Sequence, residues 1–282
     1  MMAKNKRGSK NGSTPAKVAI LDMHDGRPNQ GMQCIKNLVT GSGLDYRVYD
    51  TRGAKKLPKL EDHEVFISTG GPDDPHDYCD SDWGKPYGEF LDSVVTWNEG
   101  NPDQAKNLFL ICYSFQVACI HWKVGAITNR NSTAFGIRKM VKTPEGKQDP
   151  LLSGLPTRFN AIDNRDWQLI DPLPELFVNG RYTVLSHEAQ PPPGQEAQAV
   201  TAIRFSDAIV GTQFHPEGES ASLLWYLSDP IKSERILRIC GRRAYTKLKK
   251  QLQTPDIIDL TNRTVLPNYL ANFSQPVPQF SR

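Results

Sequence analysis

Between Lys17 and Trp122 short apolar runs alternate with amphipathic stretches, and this alternation limits the possible folds more than any other feature of the chain. Lys17–Met23 is apolar with no helical period. A Gly/Pro/Asn loop follows, then an amphipathic stretch from about Gln30 to Thr40, giving strand, loop, helix. Leu44–Tyr49 and Glu64–Ser68 read as further strands, the second stopping at Thr69-Gly70-Gly71-Pro72. Gly88–Asn98 reads as a helix, Leu108–Ile111 as a fourth strand, and Ser114–Trp122 as the helix that strand feeds. Strands alternating with helices predict a doubly wound, mostly parallel α/β sheet covered on both faces, with sites beyond the carboxyl ends of the strands.

The second half has a different texture. From Gly136 to Phe214 the pattern is of short strands and turns (Pro144-Glu145-Gly146, Ser153-Gly154, Asn179-Gly180, Pro191-Pro192-Pro193-Gly194), which predicts a β-meander added to the sheet. Helical patterning resumes at Ser220–Leu227. In Ile231–Leu252 apolar residues recur at near-helical spacing among lysines and arginines, so the basic groups form the wet face of a helix. After Thr254 a short helix and an extended arm are expected. The organisation predicted is a disordered basic segment over 1–16, one domain over 17–230, and a helical C-terminal extension over 231–282 packed on that domain.

The net charge of +3 conceals an asymmetry. Residues 1–17 sum to +5 and residues 231–282 to +7, which leaves −9 on the body between them. The N-terminal run has no aromatics to stack on bases, so nucleic acid is not an expected partner. Five cysteines, an odd number without regular spacing, argue against a disulfide framework, and no apolar signal-like stretch opens the chain. A reducing, cytoplasmic compartment is the expectation. The most apolar run, Leu108–Ile120, is far short of the roughly 20 residues that span a bilayer, so no membrane association is expected.

Three segments carry chemistry, and each follows a strand. In LFLICYSFQVACIHW, Cys112 falls at the turn from strand to helix, the position of a nucleophile elbow. A thiol there faces the positive end of a helix and unpaired backbone N–H groups, which favour the thiolate; the alternative is a buried cysteine that only packs. In IVGTQFHPEGES, residues i and i+2 of an extended chain share a side, so His215 and Glu217 lie together, as a base and its orienting carboxylate must, or form a polar turn. In VFISTGGPDDP, Gly71 can bring its N–H to a reacting carbonyl with no side chain in the way, or simply make a turn.

The motifs STGGP, ICYSFQ and QFHPE together resemble the class I glutamine amidotransferases, of the kind found as the glutaminase of GMP synthase, over about Lys17 to Ser220. The resemblance implies a flavodoxin-like domain with no cofactor and no metal. It implies Cys112 as nucleophile, His215 as base and later acid, and Glu217 as the orienting carboxylate. Oxyanion donors would be the N–H groups of Gly71 and Tyr113, while Gln116 and Asp166 would hold the substrate. The implied reaction is hydrolysis of a small-molecule amide through a cysteine thioester. Ammonia would pass to an acceptor or synthetase on a separate chain, since no phosphate-cradling glycine loop is present.

Four positions depart from the family's pattern. Leu110 and Ser114 stand where its elbow has glycines, and Asn164-Arg165 replace a His-Gly pair in the stretch AIDNRDWQ. The altered stretch favours γ-glutamyl or other amide substrates as an alternative to glutamine, and Leu110 favours a non-catalytic binding or regulatory module as another. Among remaining residues, His24 lies in a loop that can reach the site, and His187 competes as base but has its carboxylate, Glu188, on the opposite face. His76 and Cys79 have no complementary second pair for a metal. Cys119 reads as packing, and Tyr78, Trp83 and Tyr87 as core or pocket rim.

Overall fold

The computed structural model describes residues 17–274 except 179–180, 192–193, 195–197 and 255. The expected basic segment 1–16, the Asn179-Gly180 turn, Pro192-Pro193 and the last part of the expected extended arm, 275–282, lie outside the described residues. The elements are β1 (Lys17–Asp22), α1 (Gln30–Gly41), β2 (Asp45–Asp50), β3 (Val65–Ser68), α2 (Gly84–Gly100), β4 (Asn107–Ile111), α3 (Tyr113–His121), β5 (Gly125–Lys142), α4 (Pro144–Gln148), β6 (Arg158–Pro172), α5 (Pro174–Val178), β7 (Thr183–Glu188), β8 (Val200–Arg204), β9 (Ile209–Thr212), α6 (Ser220–Ser228), α7 (Pro230–Leu252) and α8 (Asp259–Ala271).

They form a mixed α/β structure with one large sheet in the order β2-β1-β3-β4-β9-β8-β6-β5-β7. The strands from β2 to β9 pair in parallel, as their intervening helices require. Alternate residues of β1 explain the layering. Val18 and Ile20 pack with Met32, Ile35 and Val39 of α1, whereas Ala19 and Leu21 pack with Tyr87 and Leu91 of α2 and Val117 of α3. Asn29 caps α1 by accepting the Met32 N–H at 2.8 Å.

The other half corrects the expectation of a mostly parallel sheet with a meander. β5, β6, β7 and β8 pair antiparallel throughout, and β5 and β6 are long strands of 18 and 15 residues. Because β7 pairs with both β5 and β8, and β8 also with β6, these four strands close into a small ring. A meander pairs only consecutive strands; here β8 reaches back past β7 to β6 and removes an open edge. Pro144-Glu145-Gly146, read as a turn, opens the short helix α4.

The C-terminal region also differs. After the basic helix α7, whose Gly241 has non-helical backbone, the chain forms the 13-residue helix α8 with Pro267 inside it. Val265, Leu266, Tyr269 and Leu270 of α8 belong to the same core cluster as Val18, Ile20 and Phe109. Among the described residues no helix is long and apolar enough to cross a membrane.

Candidate active site

The carboxyl ends of β1, β3, β4 and β9 bring together the segments that carry chemistry. Cys112 stands between β4 and α3 with φ 50° and ψ −99°, a left-handed conformation that a cysteine adopts only when its surroundings hold it there. Its N–H donates to the Thr212 carbonyl of β9 at 2.7 Å and its carbonyl accepts the Gln116 N–H at 3.0 Å. Tyr113 is the first residue of α3, so its N–H lies ahead of the helical ladder.

Ser114 and Leu110, the two departures at the elbow, have separate structural accounts. Ser114 Oγ accepts the Ile111 N–H at 2.9 Å and donates to the Ser68 carbonyl at 2.8 Å, fastening the elbow to the end of β3. Leu110 is fully buried and pairs in register with Gly211 of β9. A Cβ added at Gly211 would lie 3.2 Å from Leu110 Cβ and 2.6 Å from Phe115 Cδ2. The space for the leucine is provided by the neighbouring strand.

His215 follows β9, where its N–H donates to the Ile162 carbonyl of β6 at 2.8 Å. Its Nδ1 is 2.7 Å from Glu217 Oε1; the carboxylate accepts, which leaves Nε2 for a second partner. Burial alone would lower the His215 pKa, but the Glu217 carboxylate and then the Cys112 sulfur outweigh it and raise the imidazole well above its ordinary value. Glu217 is buried, and a Cβ at Gly31 would stand 3.1 Å from its Oε1. The carboxylate therefore sits over the first turn of α1, where the helix dipole favours negative charge.

Other expected residues fall as follows. Gln116 is buried and donates to the Trp167 carbonyl at 3.0 Å and to Gln213 Oε1 at 2.9 Å. Gly71 lies between Met23 and Tyr113, since a Cβ there would be 2.8 Å from the Met23 carbonyl oxygen and 3.0 Å from Tyr113 Cδ1. Asp166 is exposed on β6 and accepts the Thr133 hydroxyl at 2.5 Å. Arg165 turns the other way. It is buried with Asp163 at 3.0 Å and Glu188 at 2.9 Å, and Glu188 also holds the buried Arg130 at 2.8 Å.

Three residues near the site, Gly70, Gln213 and Arg52, were not singled out from sequence, and Asn164 was noted only as a departure from the family's pattern. Gly70, the other glycine of the pair, has no room for a side chain: a Cβ would be 2.8 Å from His215 Cε1 and 3.6 Å from Cys112 Cβ. Gln213 donates to Cys112 Sγ at 3.5 Å, and the Asn164 carbonyl accepts from that sulfur at 3.8 Å. Arg52 bridges the nearby loops. Gln213 lies within QFHPE and was readable in principle; Asn164 and Arg52 depend on distant pairing.

His24 lines the site region, and burial lowers its pKa. His187 stays on β7 away from Cys112, its pKa also lowered by burial, with Glu188 committed to the two arginines. His76 pairs with Asp74 at 2.8 Å and packs edge-on against Trp167, while Cys79 is exposed. Tyr78, Trp83, Tyr87 and Cys119 belong to the core, and burial pushes the Cys119 thiol up. A cavity of about 190 Å³ opens beside His215, lined by His24, Gly70, Asn164 and Glu217 among others. Larger clefts of about 610 and 480 Å³ lie at the amino ends of the parallel strands, touching Ile209 and Lys17, away from every group just described. Ligands of open α/β sheets bind at the carboxyl ends, so the smaller cavity is the relevant one.

No protein-family model and no curated protein matches the sequence. Solved structures do match the fold. A glutamine amidotransferase from Thermotoga maritima superposes with a TM-score of 0.67 at 14% identity, over 94% of this chain and 100% of that one. A glutamine amido transferase from Methylobacillus flagellatus gives 0.61 at 12% identity, over 95% and 98%. The chain thus shares the fold of these two glutamine amidotransferases.

Proposed function

We propose that the protein hydrolyses a small-molecule carboxamide and releases ammonia, with Cys112 as nucleophile, His215 as base and acid, and Glu217 as the orienting carboxylate. The observation that carries this reading is the His215–Glu217 hydrogen bond beside a cysteine held at a left-handed elbow. The strand order β2-β1-β3-β4-β9, which is that of flavodoxin-like folds, supports it by placing the elbow at the carboxyl end of a central strand.

The Cys112 thiol gives its proton to His215 as its sulfur forms a bond to the amide carbon, and the carbonyl electron pair moves onto oxygen. Gly71 and Tyr113 N–H groups stabilise that oxyanion. When it collapses, the C–N bond breaks and His215 gives its proton to the nitrogen, which leaves as ammonia. Water, losing a proton to His215, then adds to the thioester carbon, and the C–S bond breaks to give the carboxylate and free Cys112. Glu217 keeps the imidazole in the tautomer this exchange needs. The acceptor of the ammonia is a separate chain or solvent.

A specific observation favours substrates other than free glutamine. Arg165 is committed to Asp163 and Glu188, and Asp166 to Thr133, so the stretch that would hold the ends of glutamine has other partners. Ammonia release from glutamine and a panel of γ-glutamyl amides tests both readings. Turnover of at least one substrate, lost in Cys112→Ala, is expected, together with labelling of Cys112 by a diazoketone analogue of glutamine. No turnover and no labelling, with cell lysate supplying partners, would sink both.

A further inference from the structure

Arg52 stands beyond the carboxyl end of β2 with its side chain only 12% exposed, and its guanidinium meets three separate turns. Nη1 donates to the Pro72 carbonyl at 3.0 Å and to the Met23 carbonyl at 3.4 Å, and Nη2 donates to Asp73 Oδ2 at 2.9 Å. Nε is 3.5 Å from Asp25 Oδ1. The guanidinium carbon lies 5.4 Å from the centre of the Trp83 ring and 5.2 Å from that of Tyr113.

Each of those turns holds a non-glycine residue with positive φ. Asp25, Asp73 and Cys112, one in each, have φ of 57°, 79° and 50°. Residues with side chains hold such angles only where surrounding contacts fix them. Gly71 is wedged between the Met23 carbonyl and the Tyr113 ring, so its peptide takes its position from two residues that Arg52 itself contacts. A lysine has a single charged point where this site uses a planar fork and a stacking face.

We infer that Arg52 is a positioning residue for amide cleavage: it ties the turns after β1, β3 and β4 to one cation and so fixes the Gly71 and Tyr113 N–H groups at a single geometry. The inference rests on the oxyanion role proposed above for those two N–H groups. Arg52 touches no reacting atom. Loss of its contacts frees the Gly70–Pro72 peptides to rotate, and a rotated peptide presents a carbonyl where the reaction needs a donor.

The test compares Arg52→Met, Arg52→Lys and Asp73→Asn in the full chain. Asparagine tolerates positive φ and keeps one acceptor oxygen, so Asp73→Asn removes the charge from one anchor without disturbing the backbone. Two measurements accompany turnover and need no oxyanion: alkylation of Cys112 by iodoacetamide, and amide hydrogen exchange over residues 23–25, 70–73 and 112–113. Arg52→Met is expected to lower kcat by about 30-fold or more while KM and the alkylation rate stay within about threefold. Arg52→Lys recovers only part of that loss, and Asp73→Asn loses about fivefold in kcat, which decides the matter if Arg52→Met does not fold.

Unchanged kcat in Arg52→Met and Asp73→Asn overturns the inference, as does a loss shared equally by kcat, KM and alkylation. A wild-type chain without amidase activity defeats the reading in the previous subsection instead. Exchange then decides alone: acceleration by about tenfold at the three segments supports the positioning role, and unchanged exchange overturns it.

Discussion

Leu110 on β4 and Gly211 on β9 are register partners, and the glycine's missing side chain is the space in which the leucine and Phe115 pack. The strand pair thus holds one large and one small residue at the foot of the elbow. Replacing Gly211 by alanine puts a methyl group 2.6 Å from Phe115 Cδ2, closer than packed atoms come. Gly211→Ala is expected to destabilise the fold by about 1–3 kcal/mol, read from urea unfolding. Leu110→Ala alone should cost about 2–5 kcal/mol through the cavity it leaves. The double variant should be less destabilised than the two losses added, and strict additivity would deny the pairing.

His215 binds its proton more tightly in the folded chain than in the unfolded one, where its pKa is near 6.5. A proton held this way stabilises fully below the unfolded value, and the contribution is lost as pH rises through the folded value. Stability should therefore fall with pH above about 6.5, with a slope approaching 1.4 kcal/mol per pH unit at most. His215→Asn should flatten that slope, and Glu217→Gln should reduce it by removing the stronger of the two groups that raise the imidazole. Unfolding midpoints at several pH values between 6 and 9 would check both, and an unchanged slope in His215→Asn would refute the assignment.

Arg130, Arg165, Asp163 and Glu188 form a neutral set of four buried charges among β5, β6 and β7. Removing one acid leaves an uncompensated cation out of reach of water. Glu188→Gln is expected to cost about 3–5 kcal/mol in chemical unfolding, whereas exposed pairs such as Lys55–Asp82 are worth little when broken. A Glu188→Gln chain as stable as wild type would show that water or rearrangement satisfies the arginines.

Gln213 reaches Cys112 Sγ at 3.5 Å and is itself held by Gln116. Its amide N–H is directed at the sulfur. Gln213→Leu should slow alkylation of Cys112 by iodoacetamide by about three- to tenfold, the worth of one modest hydrogen bond. An unaltered rate would mean that the contact contributes nothing to reactivity.

What was readable from sequence follows from the range of the interactions. The order from β1 to α3 is written in local apolar patterning, and each of those elements appears within a few residues of its expected place. The meeting of Cys112, His215 and Glu217 at one end of the sheet was readable because each motif combines a strand end with reactive groups a few residues apart. The ring was not, because β8 pairs with β6 as well as β7 and no local pattern encodes that choice. Arg165 was read as part of a substrate-binding stretch; its partners Arg130 and Glu188 are visible only once β5 and β7 flank it. Leu110 looked out of place for the same reason, since Gly211 is remote in sequence. A short helix after Thr254 was readable, but its full length over Asp259–Ala271 was not, because Pro267 interrupts the pattern and polar residues have partners, such as Asn160 for Thr261, far up the chain.

Asn262 of α8 donates its side-chain amide to the Glu217 carbonyl at 2.9 Å, and Asp259 accepts the Ser220 N–H at 2.8 Å. The segment bearing Glu217 is thus clamped from downstream, by a helix that is also part of the central core. During synthesis the elbow and the imidazole leave the ribosome well before their clamp. A nascent chain made only through Glu217 lacks these two bonds, so the segment after β9 gains its downstream anchors once α8 has been made.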